Sequence, residues 1–123
     1  WDCRVNGDNI EFWYASSSSN PNVVGNFNLS TGVWYHTAFT VEPSNYDISL
    51  YLNGSLDTTG GNGNTPDYKQ LSLNSIGNRD NDEYFKGQLA HVRIWDYPLP
   101  ASQIRALYEA AKGGHATTKR KTL

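Results

Sequence analysis

The sequence predicts an all-β fold: an antiparallel sandwich with one short C-terminal helix. Three observations carry that prediction. Runs of β-branched and aromatic residues alternate with a period of two, as a strand with one buried face requires. Turn residues separate these runs, and Asn53-Gly54 is the sharpest signal among them, because both residues tolerate the positive φ of a type I′ hairpin. The period changes to that of a helix only near the end, over Ala101–Lys112.

The elements follow in order. Asn9–Ala15 alternates, with Ile10, Phe12 and Tyr14 pointing one way and Glu11 and Trp13 the other. Residues 16–20 and Pro21 make a turn-rich connector, Val23–Leu29 can form a short strand, and Ser30-Thr31-Gly32 is a turn. Trp34–Glu42 reads as a long strand and Pro43–Tyr46 ends it. Asp47–Asn53 places Ile48, Leu50 and Leu52 on one face, and Ser55–Thr58 returns from the Asn53-Gly54 turn. A Gly/Asn loop over 59–67 precedes a strand at Leu71–Ile76. Tyr84–Tyr97 gives the longest strand pattern, with Gly87 as a bulge or bend and Ala90, Val92 and Ile94 facing the core. In Ala101–Lys112, Ile104, Leu107, Tyr108 and Ala111 share one helical face; Pro100 suits the start and Gly113-Gly114 the end.

Composition narrows the function. The 123 residues make one domain, and the formal net charge is −2. All acidic residues precede Lys112, whereas Lys112, Lys119, Arg120 and Lys121 follow Glu109 with no acid among them. An acidic body argues against a nucleic-acid surface, which needs clustered Lys and Arg. The division expected is a domain over 1–112 and a basic, flexible tail over 113–123. Cys3 is the single cysteine, so neither an intrachain disulfide nor a cysteine metal site can form, and a partly buried apolar role is expected for it. No apolar run reaches membrane-spanning length. The chain contains no methionine, which is expected of a processed product or a piece of a longer protein.

Four pieces lie in a telling order: W-Y-H-T-A-F-T at 34–40, L-Y-L-N-G at 50–54, I-G-N at 76–78, and F-K-G-Q-L-A-H-V-R-I-W-D-Y-P-L at 85–99 followed by Q-I-R-A-L-Y at 103–108. Together they resemble the concanavalin A-like, laminin-G-like jelly-roll domains, including the pentraxin-like branch. The resemblance implies an antiparallel jelly roll whose C-terminal helix covers one end. It also implies a departure, since such domains begin with strands upstream of the position of Trp1, and the first of them pairs beside the last long strand. Leu89–Tyr97 would then carry an unpaired edge. The missing strands are therefore expected on an upstream segment of the same polypeptide or on a neighbouring chain, with a homo-oligomer as one form.

Enzymes of this architecture carry an E-x-D-x-E type pattern, which sets two acids on one sheet face at the separation glycoside hydrolysis needs. Glu11 and Glu42 stand singly, His36 and His91 read as structural, and Cys3 has no assigned histidine beside it, so a non-enzymatic protein is expected. Sugar sites combine an aromatic platform with amides and carboxylates. The candidates are Trp13, Tyr35 and Tyr51 on the less apolar faces of their runs, and Tyr84 at a loop edge. The sequons at Asn28 and Asn53 matter only in a secreted eukaryotic protein, and Asn53 already has a turn role.

The run G-N-R-D-N-D-E-Y-F-K-G at 77–87 fails the EF-hand pattern, because the sixth residue from Asp80 is Phe85 and the twelfth is His91. It reads as a hairpin loop with Phe85 turned inward. The resemblance implies calcium held by loop carboxylates, for which Asp80 and Asp82 are the candidates. The function expected is a recognition module for glycans or another extracellular surface within a larger protein. The alternative is a structural or decoration module of a viral particle or other assembly. In either case no nucleic acid and no membrane insertion are involved, and the location is extracellular or on a surface, a virion surface included.

Overall fold

The computed structural model describes residues 1–16, 20–61, 64–65, 75–79 and 83–112. Among them the order is β1 (Asp2–Asn6), β2 (Asn9–Trp13), β3 (Asn22–Val24), β4 (Thr37–Val41), β5 (Ile48–Leu52), β6 (Ser55–Gly60), β7 (Asn78–Arg79), β8 (Glu83–Tyr84) and α1 (Ala101–Lys112). Strands β1-β2-β3 form one sheet, β4-β5-β6 a second, and β7-β8 a short ribbon. Every pairing is antiparallel. This is a mostly antiparallel β-sandwich with a short C-terminal helix, as the sequence predicts.

The core follows from the alternation. Ile10, Phe12, Tyr14 and Val23 project from the first sheet onto Ile48 and Leu50 of the second. Phe12 and Phe39 stack across the interface at 4.8 Å between ring centres. Full burial of Ile48 and Leu50 contributes about 1.5–3 kcal/mol each. The opposite face of the second sheet is covered as well. Tyr51 packs there with Leu99 and Ile104, and Ala38 and Leu107 close the cluster. The described residues thus form three layers: sheet, sheet, helix.

The turns are built as their residues require. Asn53 and Gly54 take φ of 49° and 77°, the two positive values of a type I′ turn. Asn53 also fastens the chain entering β4, because His36 N–H donates to Asn53 Oδ1 at 3.0 Å and Asn53 N–H donates to the His36 carbonyl at 2.7 Å. A bulge between Leu50 and Tyr51 leaves Asp57 unmatched in the ladder, and its carboxylate accepts the Asn26 N–H at 2.8 Å. At the helix start the Pro100 carbonyl accepts from the Gln103 and Ile104 amides.

Several expectations are corrected. Strand β1 was not read from the sequence, although Cys3 and Val5 alternate with polar residues just before Gly7, whose φ is 61°. The run at Trp34–Glu42 gives only Thr37–Val41, because Tyr35 is drawn aside to stack on Phe27 and His36 is fastened to Asn53. Cys3 is exposed rather than partly buried. Phe85 does not turn inward; it stays exposed, its N–H donates to the Gly77 carbonyl, and its ring fills the space where a side chain on Gly87 would lie.

The largest correction concerns Tyr84–Tyr97. Strand structure ends at Tyr84, and residues 85–97 run outside any ladder. Leu89, Val92, Ile94, Trp95 and Tyr97 are all exposed, Ile94 at 60%, so neither alternating set faces a core. A strand needs a neighbour for its backbone groups, and no described strand lies beside this tract. His91 also sits at φ 55°, which breaks the extended conformation in the middle of the run. The strand expected at Leu71–Ile76 lies outside the described residues up to position 74, as do the centre of the 59–67 loop and the tail 113–123.

Candidate functional site

Apart from Trp13 and Val24, the outer face of the first sheet is polar, in contrast to its inner face. In β2 the side chains of Asn9, Glu11 and Trp13 alternate outward from Ile10 and Phe12. Register adds the neighbours. Asp2 and Asn22 stand opposite Trp13 on either side, Arg4 stands opposite Glu11, and Asn6 opposite Asn9. Directly opposed side chains on one face begin about 5 Å apart, so Trp13 is flanked by a carboxylate and an amide. Its indole is half-buried and lies beside groups that hydrogen-bond hydroxyls.

Glu11 is the organising residue. It is 6% exposed, and both carboxylate oxygens are taken up by donors. Arg4 Nε donates to Oε2 at 2.9 Å, Asn6 Nδ2 donates to the same oxygen at 3.2 Å, and Asn22 Nδ2 donates to Oε1 at 3.0 Å. The Asn22 amide is the largest influence holding the Glu11 carboxyl below its usual range. Burial opposes it, and Arg4 and Asn6 reinforce it. Glu11 therefore stays ionised and fixes three side chains drawn from the two flanking strands, Arg4 and Asn6 from β1 and Asn22 from β3. Arg4, Asn6 and Asn22 are the functional candidates that sequence reasoning missed; the D-x-R-x-N alternation at 2–6 was the signal available for the first two.

The four aromatic candidates are not brought together. Trp13 lies on this outer face. Tyr35 lies in the segment before β4, stacked on Phe27 with ring centres 6.2 Å apart, and its hydroxyl accepts the Ser30 N–H. Tyr51 is 8% exposed beneath α1 and has no face to offer a sugar; the face that looked polar in β5 is the one the helix covers. Tyr84, 63% exposed, sits in the β7–β8 ribbon. Asp80 and Asp82 lie outside the described residues. Among the described residues no cluster of three His, Cys, Asp or Glu side chains could hold a metal ion.

The other reactive side chains are poorly placed for catalysis. Desolvation first and the Asp2 charge second push the Cys3 thiol up, so it is not a thiolate at neutral pH. His36 is held below its usual range by burial first and then by Arg93, and its ring lies 5.9 Å from that of Tyr108.

Residues 1–105 match the family described as the concanavalin A-like lectin/glucanases superfamily, in its laminin-G-like branch. The chain belongs to that superfamily. Among curated proteins it is similar to a C-reactive protein of Danio rerio, 32% identical over 75 residues, which is 58% of this chain and 31% of that protein. Among solved structures it is similar to residues 221–444 of an S-layer domain-containing protein from Clostridium thermocellum, with a TM-score of 0.52 and 24% identity, covering 81% of this chain and 51% of the other. That likeness shows the fold. The chain spans about a third of the curated relative's length and about half of the structural one. No helix among the described residues is long and apolar enough to cross a membrane.

Proposed function

We propose that this laminin-G-like domain is a non-enzymatic recognition module that binds glycans for a larger extracellular or surface protein. The observation that carries the reading is Trp13, set between Asp2 and Asn22 on a polar sheet face that the buried Glu11 organises. An indole offers an apolar plate for a sugar ring, and the groups around it offer donors and acceptors for hydroxyls. The superfamily includes lectins, in keeping with such a site. It also includes glucanases, but the Glu11 carboxyl is held ionised, the reverse of the raised pKa that a glycosidase acid requires. Calcium remains a proposal on Asp80 and Asp82. A glycan array read with and without calcium tests the reading. Binding to a defined set of sugars is the expected result, and no binding in either condition would move the assignment to the structural reading.

The exposed tract 85–97 favours that second reading, in which the domain is a structural module of a viral particle or other assembly. Here an upstream segment or a neighbouring chain would lay a strand along the tract and cover Leu89, Val92, Ile94, Trp95 and Tyr97. Under this reading the chain self-associates in light-scattering measurements and Ile94→Asp returns it to a monomer. A wild-type chain that stays monomeric at high concentration would count against self-assembly.

A further inference from the structure

Resting on the assembly reading, we infer that the open edge of β4 is a strand-accepting surface, and that it takes the tract 85–97 of a second copy of this chain. The acceptor is read from the register. The Asn53 N–H bonds to the His36 carbonyl and the Glu42 N–H to that of Asp47, so the bonded pairs of β4 and β5 alternate inward from these two ends. Thr37, Phe39 and Val41 therefore turn their backbone N–H and C=O away from β5, and among the described strands β4 stands at the edge of its sheet.

A strand laid beside β4 would also meet a second layer. Strand β3 packs over β5 and β6, and Phe12 of β2 stacks on Phe39 of β4, so β1 runs on past the edge of the second sheet. Its register with β2 sets Cys3 opposite Phe12 and Val5 opposite Ile10, on the core side. Yet Cys3 is exposed, Val5 is 39% exposed, and Trp1, stacked on Phe12, is 46% exposed. The first sheet thus overhangs the second by one strand, and the underside of the overhang is apolar. The segment that fits offers its backbone to β4 and alternate apolar side chains to β1, which is the pattern of strand addition.

The tract 85–97 has that form. It joins no ladder among the described strands, and Ala90, Val92 and Ile94 alternate along it, all exposed. Within one copy the tract is held on the helix side of β4. Trp95 borders an apolar pocket with Leu99, Gln103, Ala106 and Leu107, and Arg93 acts on His36, whose ring faces Tyr108 of α1. The set that contains Val92 and Ile94 is left for a neighbour. A neighbour's β4 cannot enter the same place, because it would bring its own first sheet into the space that β1 occupies. When the tract pairs, His91 leaves φ 55° for the extended region, which relieves a conformation costly for a non-glycine residue. Donor and acceptor are different surfaces, so the contact is heterologous and continues from copy to copy unless two copies exchange tracts.

The test is complementation between two variants of the full chain. Val92→Asp disables the donor and Val5→Asp the acceptor; both positions are exposed in a single copy, and circular dichroism melting checks that each variant folds. Thr37→Pro, which removes an outward N–H from an edge strand, is a second acceptor variant. In sedimentation velocity the wild-type chain is expected to self-associate, each variant alone to stay monomeric, and a mixture of donor and acceptor variants to form a heterodimer. Hydrogen exchange at the Thr37, Phe39 and Val41 amides is expected to slow about tenfold in associated wild-type chain relative to dilute monomer. Variants that self-associate as the wild type does, a mixture that stays monomeric, or wild-type association that leaves these amides unprotected overturns the inference and leaves the assembly reading standing through another surface. Protection of the same amides in the monomer at every dilution shows that the chain's own tract fills the edge, and overturns it too. A wild-type chain that stays monomeric at high concentration overturns both the inference and self-assembly.

Discussion

Gly54 shows how closely single positions are constrained. Its φ of 77° is strained for any side chain, and a Cβ there would lie 2.9 Å from both Arg105 and Tyr108 of α1. Gly54→Ala therefore costs about 1–3 kcal/mol, read as a lower urea midpoint, through turn strain together with a helix pushed off the hairpin. The dipeptide was legible in the sequence because its chemistry is local. The helix packed over it was not, since nothing in Asn53-Gly54 names its distant neighbour. The same limit explains the aromatic candidates. Trp13 and Tyr51 both alternate away from their aliphatic neighbours, and only the third layer distinguishes the half-open indole from the covered phenol.

At the scale of elements, β2, β5, the hairpin and α1 were readable because hydrophobic period and turn chemistry agree within each of them. The helix docks through Ile104, which is 1% exposed. Ile104→Ala removes the side chain that fills the space beside Tyr51 and Leu99, and costs about 2–5 kcal/mol in denaturant unfolding. A change below about 1 kcal/mol would mean that the helix adds little to the sandwich. The tract 85–97 is the counterexample. Its alternation is as regular as that of β2, yet alternation specifies only which side chains share a face, and a strand forms only where another strand accepts its hydrogen bonds. Strand β1 went unread for the opposite reason: it is short, and its outward residues carry the polar face rather than a hydrophobic signal.

For the molecule as a whole, two groups tie stability to pH in the same direction. His36 is held below its ordinary value of 6.5, by burial and then by Arg93, so the fold favours its neutral form. Glu11 is held below 4.5, chiefly by Asn22, so the fold favours its charged form. Both contributions are fully present above the ordinary values and are lost as the pH falls through the lowered ones. Stability should therefore decline in two steps, first below 6.5 and again below 4.5, and Glu11→Gln should abolish the second step while keeping the first. Urea midpoints across that range check both.

As the pH falls through the lowered Glu11 value, the frame of the polar face goes with that carboxylate, so stability and the proposed recognition share one residue. The most direct measurement of the recognition claim is an amide NMR titration of the full chain with the oligosaccharide that binds it. The account predicts that shifts concentrate in Asp2–Asn6, Asn9–Trp13 and Asn22–Val24 and on the Trp13 indole N–H. Shifts confined to Tyr35, Tyr84 or the tract 85–97, with the first sheet unmoved, would contradict it.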